Sequence, residues 1–213
     1  KEAQGAAGWF QTDNAEQAYK YLTDSSVSQY LEYTHIGAKD DATSLDNLLK
    51  ALDMIDECNK LREENGLEPL KVSETALAMA MVQANWAANG NYYHNMQYKT
   101  GENLAWGTSD TDPYNGWYTA EKANYEAALK SGDYPDLASL SAWDISLKYP
   151  DLYQTIGHYL NIIDPDYIAT GMAYSGYGET QYDHAFSQEY YNDWNSYNKN
   201  DLSLIHISEP TRR

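Results

Sequence analysis

The sequence predicts a layered α+β fold in which helices pack against a small sheet. Three amphipathic helices precede two strands, and these five segments cover residues 44–64, 74–88, about 116–129, 167–174 and 180–187. Gly176 and Gly178 lie between the two strands and favour a hairpin turn. Because strands and helices do not alternate regularly along the chain, the pattern favours a mixed architecture.

The first two helices have clear boundaries. The helix over 44–64 carries an apolar residue at every third or fourth position and charged residues on its other face. The pair Asn65-Gly66 predicts its end. The helix over 74–88 begins after the N-cap Ser73, and its apolar stripe of mainly small residues predicts close packing against a neighbouring element.

The third helix presents a carboxylate beside a tryptophan, since Trp117 and Glu121 are one helical turn apart. Two environments fit Glu121 from the sequence: a solvated position at the edge of the stripe, or a partly buried one that needs a cation or a hydrogen-bond partner. The preceding residues 91–112 have no hydrophobic period. Long irregular segments within compact domains are often functional.

The remaining features favour structural roles. Residues 131–153 resemble a loop with one helix around 137–147, and a further short helix ends before Pro165. The single cysteine, Cys58, cannot form an internal disulfide and is predicted to be a small core residue. His35 is predicted to be an exposed loop residue, and His184 a half-buried residue of the last strand.

Composition argues against several classes of function. The chain has 14 Lys and Arg against 32 Asp and Glu, which gives a net charge of -18. This charge repels phosphate backbones and anionic lipid, so nucleic acid is not an expected partner. No apolar run approaches the roughly 18 residues of a membrane span. The 21 tyrosines are amphipathic and suit half-wet grooves better than a dry interior.

The ends of the chain differ from its centre. We expect an N-terminal extension over 1–42, partly helical, a folded domain over 43–192, and a polar tail over 193–201. Residues 202–213 resemble the one-frame translation of a sequencing adapter, so His206 receives no role. No leader pattern opens the chain, and we expect any leader to be absent from this numbering.

Four residues remain as candidates for chemistry: His94, Glu102, Glu121 and His158. The sequence contains no Walker A loop, no His-Glu-x-x-His, no Gly-x-Ser-x-Gly and no Cys-x-x-Cys. The spacing of the four candidates matches no motif. From the residues alone, each is either a structural polar group or part of a metal or acid–base site.

Four short motifs occur in order along the chain: His94-Asn95, Gly101-Glu102-Asn103-Leu104, Gly116-Trp117-Tyr118 with Glu121, and Gly157-His158-Tyr159-Leu160-Asn161-Ile162-Ile163 followed by the strand from Tyr167 to Ala173. Together they resemble the CAP superfamily (cysteine-rich secretory protein, antigen 5, pathogenesis-related 1) in its bacterial, disulfide-free branch. Asn59 and Arg62 in the first helix also fit this family.

This resemblance implies a three-layer α-β-α sandwich in which the four candidates form one cavity tetrad. His94 and His158 would then bind Zn²⁺ or another divalent cation and leave open coordination positions. Glu102 and Glu121 would orient the imidazoles or act as general base. The alternative is a hydrogen-bonded polar cluster without turnover. The family's cysteines are missing here, so disulfide-based properties do not transfer.

Three functions follow from the resemblance as expectations. The first is a secreted bacterial protein, extracellular or wall-associated, that binds a small hydrophobic ligand, a neutral lipid or sterol, or an envelope or host protein. The second is a metal-dependent peptidase or esterase that uses Glu102 or Glu121 as general base. The third is an adhesion domain on a stalk. Whether the protein is an enzyme stays open at this point.

Overall fold

The computed structural model describes residues 4–107, 112–178 and 184–192. Within them, eight α-helices and four strands surround one main core. The helices are α1 (Gly5–Thr12), α2 (Glu16–Thr23), α3 (Leu45–Glu64), α4 (Glu74–Ala88), α5 (Glu121–Ser131), α6 (Ala142–Lys148), α7 (Pro150–Tyr153) and α8 (Gly157–Ile162). The strands are β1 (Lys71–Val72), β2 (Gly101–Trp106), β3 (Ala169–Ser175) and β4 (Ala185–Tyr191).

The four strands form one mixed sheet in the order β1-β3-β4-β2. β1 is parallel to β3, whereas β3 and β2 both run antiparallel to β4. β2 is therefore an edge strand, and its register places Glu102 directly opposite Glu189. Gly107 N–H donates to the His184 carbonyl, which identifies that pair as hydrogen-bonded. By alternation, Glu102 and Glu189 form a non-hydrogen-bonded pair, in which side chains lie closest.

Helices cover both faces of the sheet and give three layers. A Cβ added to Gly171 of β3 would lie 2.1 Å from the backbone of Ala76, so α4 packs directly on that face. Tyr174, three residues further along β3, points to the other face, where the Lys50 ammonium of α3 lies over its ring. The predicted α-β-α sandwich is confirmed.

The helix α4 is buried along its entire length, which explains its small residues. Its N-cap Ser73 accepts a hydrogen bond from the N–H of Ala76, as predicted. One side packs on β3 and β4, and another packs on α2. Close approach of backbones is available only to residues such as alanine and glycine, so the alanine-rich stripe sets the spacing of these two layers.

The N-terminal helices contribute to the same core as the rest of the domain. Phe10 of α1 and Leu22 of α2 are buried together with Ile55 of α3. Asp41 anchors the loop before α3, because its carboxylate accepts hydrogen bonds from Thr43 and from Asn85 of α4. This places the chain before residue 43 against the central helix.

Buried Arg62 ties the end of α3 to the chain that follows α8. Its guanidinium donates to the carbonyls of Glu68, Ile162 and Asp164. Because the side chain is only 1% exposed, these carbonyls replace the water that the cation would otherwise bind. Cys58, one turn earlier in α3, is fully buried, as the sequence predicts.

Several sequence predictions differ from the structure in their details. The segment 91–112 was expected to be irregular but contains the edge strand β2, and the two-residue β1 was not predicted. The third helix begins with a π-helical turn over Asn115–Ala120. The helix expected at 137–147 is a 3₁₀ turn followed by α6. The last strand covers 185–191 instead of 180–187, and residues 180–183, like the tail 193–213, lie outside the described residues.

No helix in the described part of the chain is long and apolar enough to cross a membrane. Both histidines given structural roles lie as expected: His35 is exposed in a loop, and His184 is half-buried beside β4.

Replacement of Gly171 by alanine tests the contact between α4 and the sheet. The new Cβ would overlap the backbone of Ala76 and Leu77, so the layers must separate. We expect Gly171→Ala to lower the free energy of unfolding by more than about 3 kcal/mol, measured by urea denaturation.

Gly116→Ala is the matched control, since a Cβ there meets no atom within 4 Å. We expect its stability to stay within about 1 kcal/mol of the parent protein. Equal stability of the two variants would contradict the proposed close contact.

Candidate functional site

Two imidazole–carboxylate pairs form the candidate site. His94 Nδ1 lies 2.5 Å from Glu102 Oε1, and His158 Nδ1 lies 2.6 Å from Glu121 Oε1. The two histidine side chains are 45% and 29% exposed, whereas the carboxylates are 12% and 13% exposed. Each pair therefore directs a partly buried carboxylate at an imidazole that reaches solvent.

The first pair is held on the face of the sheet that carries α4. His94 follows that helix in a loop, and Glu102 is the second residue of β2. The other oxygen of Glu102 accepts a hydrogen bond of 2.5 Å from Gln83 of α4. Gln83 also exchanges hydrogen bonds with Asn95, so helix, loop and strand are connected at one point.

The second pair lies on the opposite face of the sheet. Glu121 follows the π-helical turn, and His158 is the second residue of α8. The second oxygen of Glu121 accepts the backbone N–H of Tyr159 at 3.0 Å. The Trp117 ring lies 5.9 Å from the imidazole of His158 and packs beside it. Of the two environments considered for Glu121, the structure shows the partly buried one with a hydrogen-bond partner.

Two asparagines connect the pairs across the edge strand. Asn103 donates to the His158 carbonyl at 3.1 Å and accepts from Asn161 at 2.9 Å. Asn161 also lies 3.4 Å from the Glu102 carbonyl. Because neighbouring residues of a strand point to opposite faces, Glu102 and Asn103 bring the two pairs to the same edge of the sheet.

The hydrogen bonds determine which ring nitrogens are available. An ionised carboxylate only accepts hydrogen bonds, so the Nδ1 atom beside it must carry the proton. In the neutral imidazoles of His94 and His158, the lone pair is consequently on Nε2. A carboxylate that orients a histidine in this way is the usual outer partner of a metal-binding imidazole.

A cavity of about 420 Å³ brings both imidazoles to one opening. It is lined by His94, Glu102, Tyr153, Gln154, Gly157, His158 and Asn161. A second, more apolar groove of about 560 Å³ shares His158 and continues along β2. The volume of each is in the range of small-ligand sites.

A third buried acid, Glu189, extends the first pair. It is 1% exposed, lies opposite Glu102 in the register, and accepts hydrogen bonds from Thr100 at 2.5 Å and Ser187 at 3.2 Å. Burial, followed by the charge of Glu102, raises the pKa of Glu189 well above its usual value. Burial therefore favours the neutral form of Glu189 beside Glu102.

The pKa values of the first pair follow from these contacts. Burial alone would raise the pKa of Glu102, but hydrogen bonds from His94, Glu189 and Gln83 outweigh it and hold that pKa below its usual value. The hydrogen bond to Glu102 raises the pKa of His94. Glu102 is thus an anion that stabilises the protonated form of its imidazole.

The structure brings the four predicted residues together as two pairs and not as one ligand set. In the described part of the chain, no group of three or more His, Cys, Asp or Glu side chains could hold a metal ion. Sequence reasoning missed Gln83 and Glu189 as contacts of the site. Glu189 could have been recognised as a glutamate inside the apolar, tyrosine-rich segment Ala185–Tyr191.

The sequence model of the cysteine-rich secretory protein family, CAP, matches residues 55–190. The chain belongs to the CAP family. The matched residues begin in α3, end in β4 and include both imidazole–carboxylate pairs. A search of curated proteins finds no match to the chain. The resemblance to the CAP family read from the sequence is confirmed, and proteins of this family are usually secreted.

Replacement of Glu189 by glutamine tests whether the pKa of Glu189 is raised in the folded CAP domain. The pKa of Glu189 is raised in the folded state and has its ordinary value, 4.5, when the chain unfolds. Between these two values the unfolded chain releases the proton and the folded protein keeps it, so stability is lost as the pH rises. Glutamine is neutral throughout. We expect Glu189→Gln to unfold with a shallower pH dependence than the parent protein between about pH 5 and 8.

Urea denaturation across this pH range provides the measurement. Glu126→Gln is the control, because Glu126 lies exposed on the same domain. Its pH dependence is expected to follow that of the parent protein. Equal slopes for Glu189→Gln and the parent protein would show that Glu189 is already ionised in the folded state.

Proposed function

We propose that the protein is a secreted CAP-domain binding protein whose cavity holds a divalent cation between Nε2 of His94 and Nε2 of His158. The observation that carries this proposal is the hydrogen bond from each Nδ1 to a partly buried carboxylate. It fixes both rings with Nε2 available. Both histidines line the same cavity, which supports a shared ion.

The donor set fits Zn²⁺ or a similar ion with incomplete protein ligation. Two neutral imidazoles are suitable zinc ligands, and the remaining positions would be open to water or to a ligand. The carboxylates are already engaged by the rings, so they act through the histidines. When bound, the ion would supply a Lewis acid at the cavity wall.

The charge of the protein limits the ligand. With a net charge of -18, the domain favours neutral or cationic ligands over anionic ones. Tyr153, Gly157 and Asn161 line the cavity beside the histidines, giving it both apolar and polar walls. A small hydrophobic molecule, a neutral lipid, or a segment of an envelope or host protein fits these conditions, in an extracellular or wall-associated bacterial setting.

Isothermal titration with Zn²⁺ tests the cation. We expect the parent protein to bind one zinc ion per chain. In His94→Ala/His158→Ala both ligand rings are lost, so we expect the zinc affinity to fall by at least roughly 10–100-fold, the loss typical when an outer partner of a ligand is removed. His35→Ala is the matched control, since it removes an exposed histidine away from the cavity. Unchanged zinc affinity in the double variant would contradict the proposal.

A metal-dependent peptidase or esterase is the second candidate, because Glu121 and His158 also line the apolar groove. One observation weighs against it. Both oxygens of Glu102 and both oxygens of Glu121 already accept hydrogen bonds, which makes each carboxylate a better orienting group than general base.

An activity assay separates the two candidates. A hydrolase would cleave a peptide or ester probe, lose that activity with a chelator, and lose it again in Glu121→Gln because the base is removed. We expect no chelator-sensitive turnover of either probe by the purified protein. Turnover that disappears in Glu121→Gln would establish the enzyme and contradict the binding-only function.

A further inference from the structure

The apolar groove next to the site lies along an unpaired edge of the sheet. It is lined by three consecutive residues of β2: Leu104, Ala105 and Trp106. Because consecutive side chains point to opposite faces, a groove that contacts all three must run along the strand's edge. Among the residues that the structure describes, β4 is the only strand that pairs with β2.

The opposite wall of the groove is helical. Gly116, Trp117 and Ala120 from the π-helical turn, with Glu121 and Asn124 from α5, face the strand. Gly116 leaves the groove open, since a Cβ at this position would meet no atom within 4 Å. The groove therefore lies between an edge strand and a helix, a geometry that accepts extended peptides in other folds.

The hydrogen-bond alternation of β2 decides which groups face the groove. Gly107 is paired with His184, so Ala105 and Asn103 also bond to β4. The main-chain N–H and C=O of Leu104 and Trp106 consequently point away from β4. No hydrogen bond reaches these groups from the other described residues. In the open groove water can bond to these N–H and C=O groups, and a peptide backbone can replace that water whereas a lipid tail cannot.

Charge selects among peptides. Among the described residues that line the groove there is no lysine or arginine, whereas Glu121 is one of them, and the whole protein carries a charge of -18. A segment with basic side chains is therefore attracted and an acidic one repelled. The three groove-lining residues Leu104–Trp106 correspond to about 10 Å of extended chain, and His158 lines both this groove and the neighbouring cavity.

We propose that the groove binds an extended, basic peptide segment as a fifth strand beside β2, with the peptide main chain paired to Leu104 and Trp106. This proposal names the ligand class of the CAP groove and rests on the proposed binding function. It assigns a role to the open edge that the imidazole–carboxylate pairs leave unused.

Fluorescence anisotropy with a labelled octapeptide of alternating lysine and valine tests the proposal. The matched probe is the same octapeptide N-methylated at alternate residues, which keeps charge and side chains but removes the hydrogen-bond donors of one edge. We expect the methylated peptide to bind at least about tenfold more weakly at about 0.15 M salt. Equal binding of the two probes, or no binding of either, would overturn the proposal.

Variants of the protein locate the peptide. Gly116→Leu is expected to fill the groove without disturbing the fold and to weaken binding at least about tenfold. Trp106→Pro and Trp106→Ala both remove the indole ring, but only Trp106→Pro also removes the outward N–H. We therefore expect Trp106→Pro to bind the peptide more weakly than Trp106→Ala. Proline is tolerated at such a position of an edge strand. Equal affinities for the proline and alanine variants, or unchanged binding by Gly116→Leu, would contradict strand pairing.

Zinc titrations of the same proteins keep this result separate from the proposed function. Gly116→Leu is expected to bind zinc as the parent protein does, because it leaves His94 and His158 intact. Loss of peptide binding together with retained zinc binding supports the groove proposal. If the parent protein binds the peptide but not zinc, the cation proposal fails and the edge-strand proposal stands.

Discussion

The fold depends on one central helix that is buried on every side. All residues of α4 lie in the interior, so the sheet must cover one side and the N-terminal helices another. The helix can approach β3 only because Gly171 has no side chain at the contact. From this position α4 also supplies Gln83 to the site and Asn85 to the loop before α3. The central packing therefore fixes the polar network as well as the core.

The site lies at the edge of the sheet because that is where the two faces meet. Glu102 and Asn103 are neighbours on β2, and one points to each face, so a single strand orders both imidazole–carboxylate pairs. Glu189 lies behind Glu102 with its pKa raised, first by burial and then by the charge of Glu102, so its neutral form is favoured there. This arrangement keeps Glu102 ionised and directed at His94.

The sequence predicted the parts that depend on periodicity or on motifs. The apolar repeat of α3, the N-cap Ser73 and the strand near Ala173 could be read directly, and the ordered family motifs identified the four site residues. The sequence could not predict β2, because its residues Gly-Glu-Asn-Leu-Ala-Trp have no clear alternation and are half-buried by long-range contacts. The role of Glu189 was equally hidden, since it depends on strand register.

Cation binding at the cavity requires that both imidazoles carry the proton on Nδ1 and offer Nε2. Two-bond ¹H–¹⁵N correlation spectra of ¹⁵N-labelled protein measure this tautomer directly, at a pH where the rings are neutral. We expect Nδ1–H tautomers for His94 and His158, with Nε2 signals that shift on addition of Zn²⁺. Nε2–H tautomers for both residues, unaffected by Zn²⁺, would contradict cation binding at the cavity.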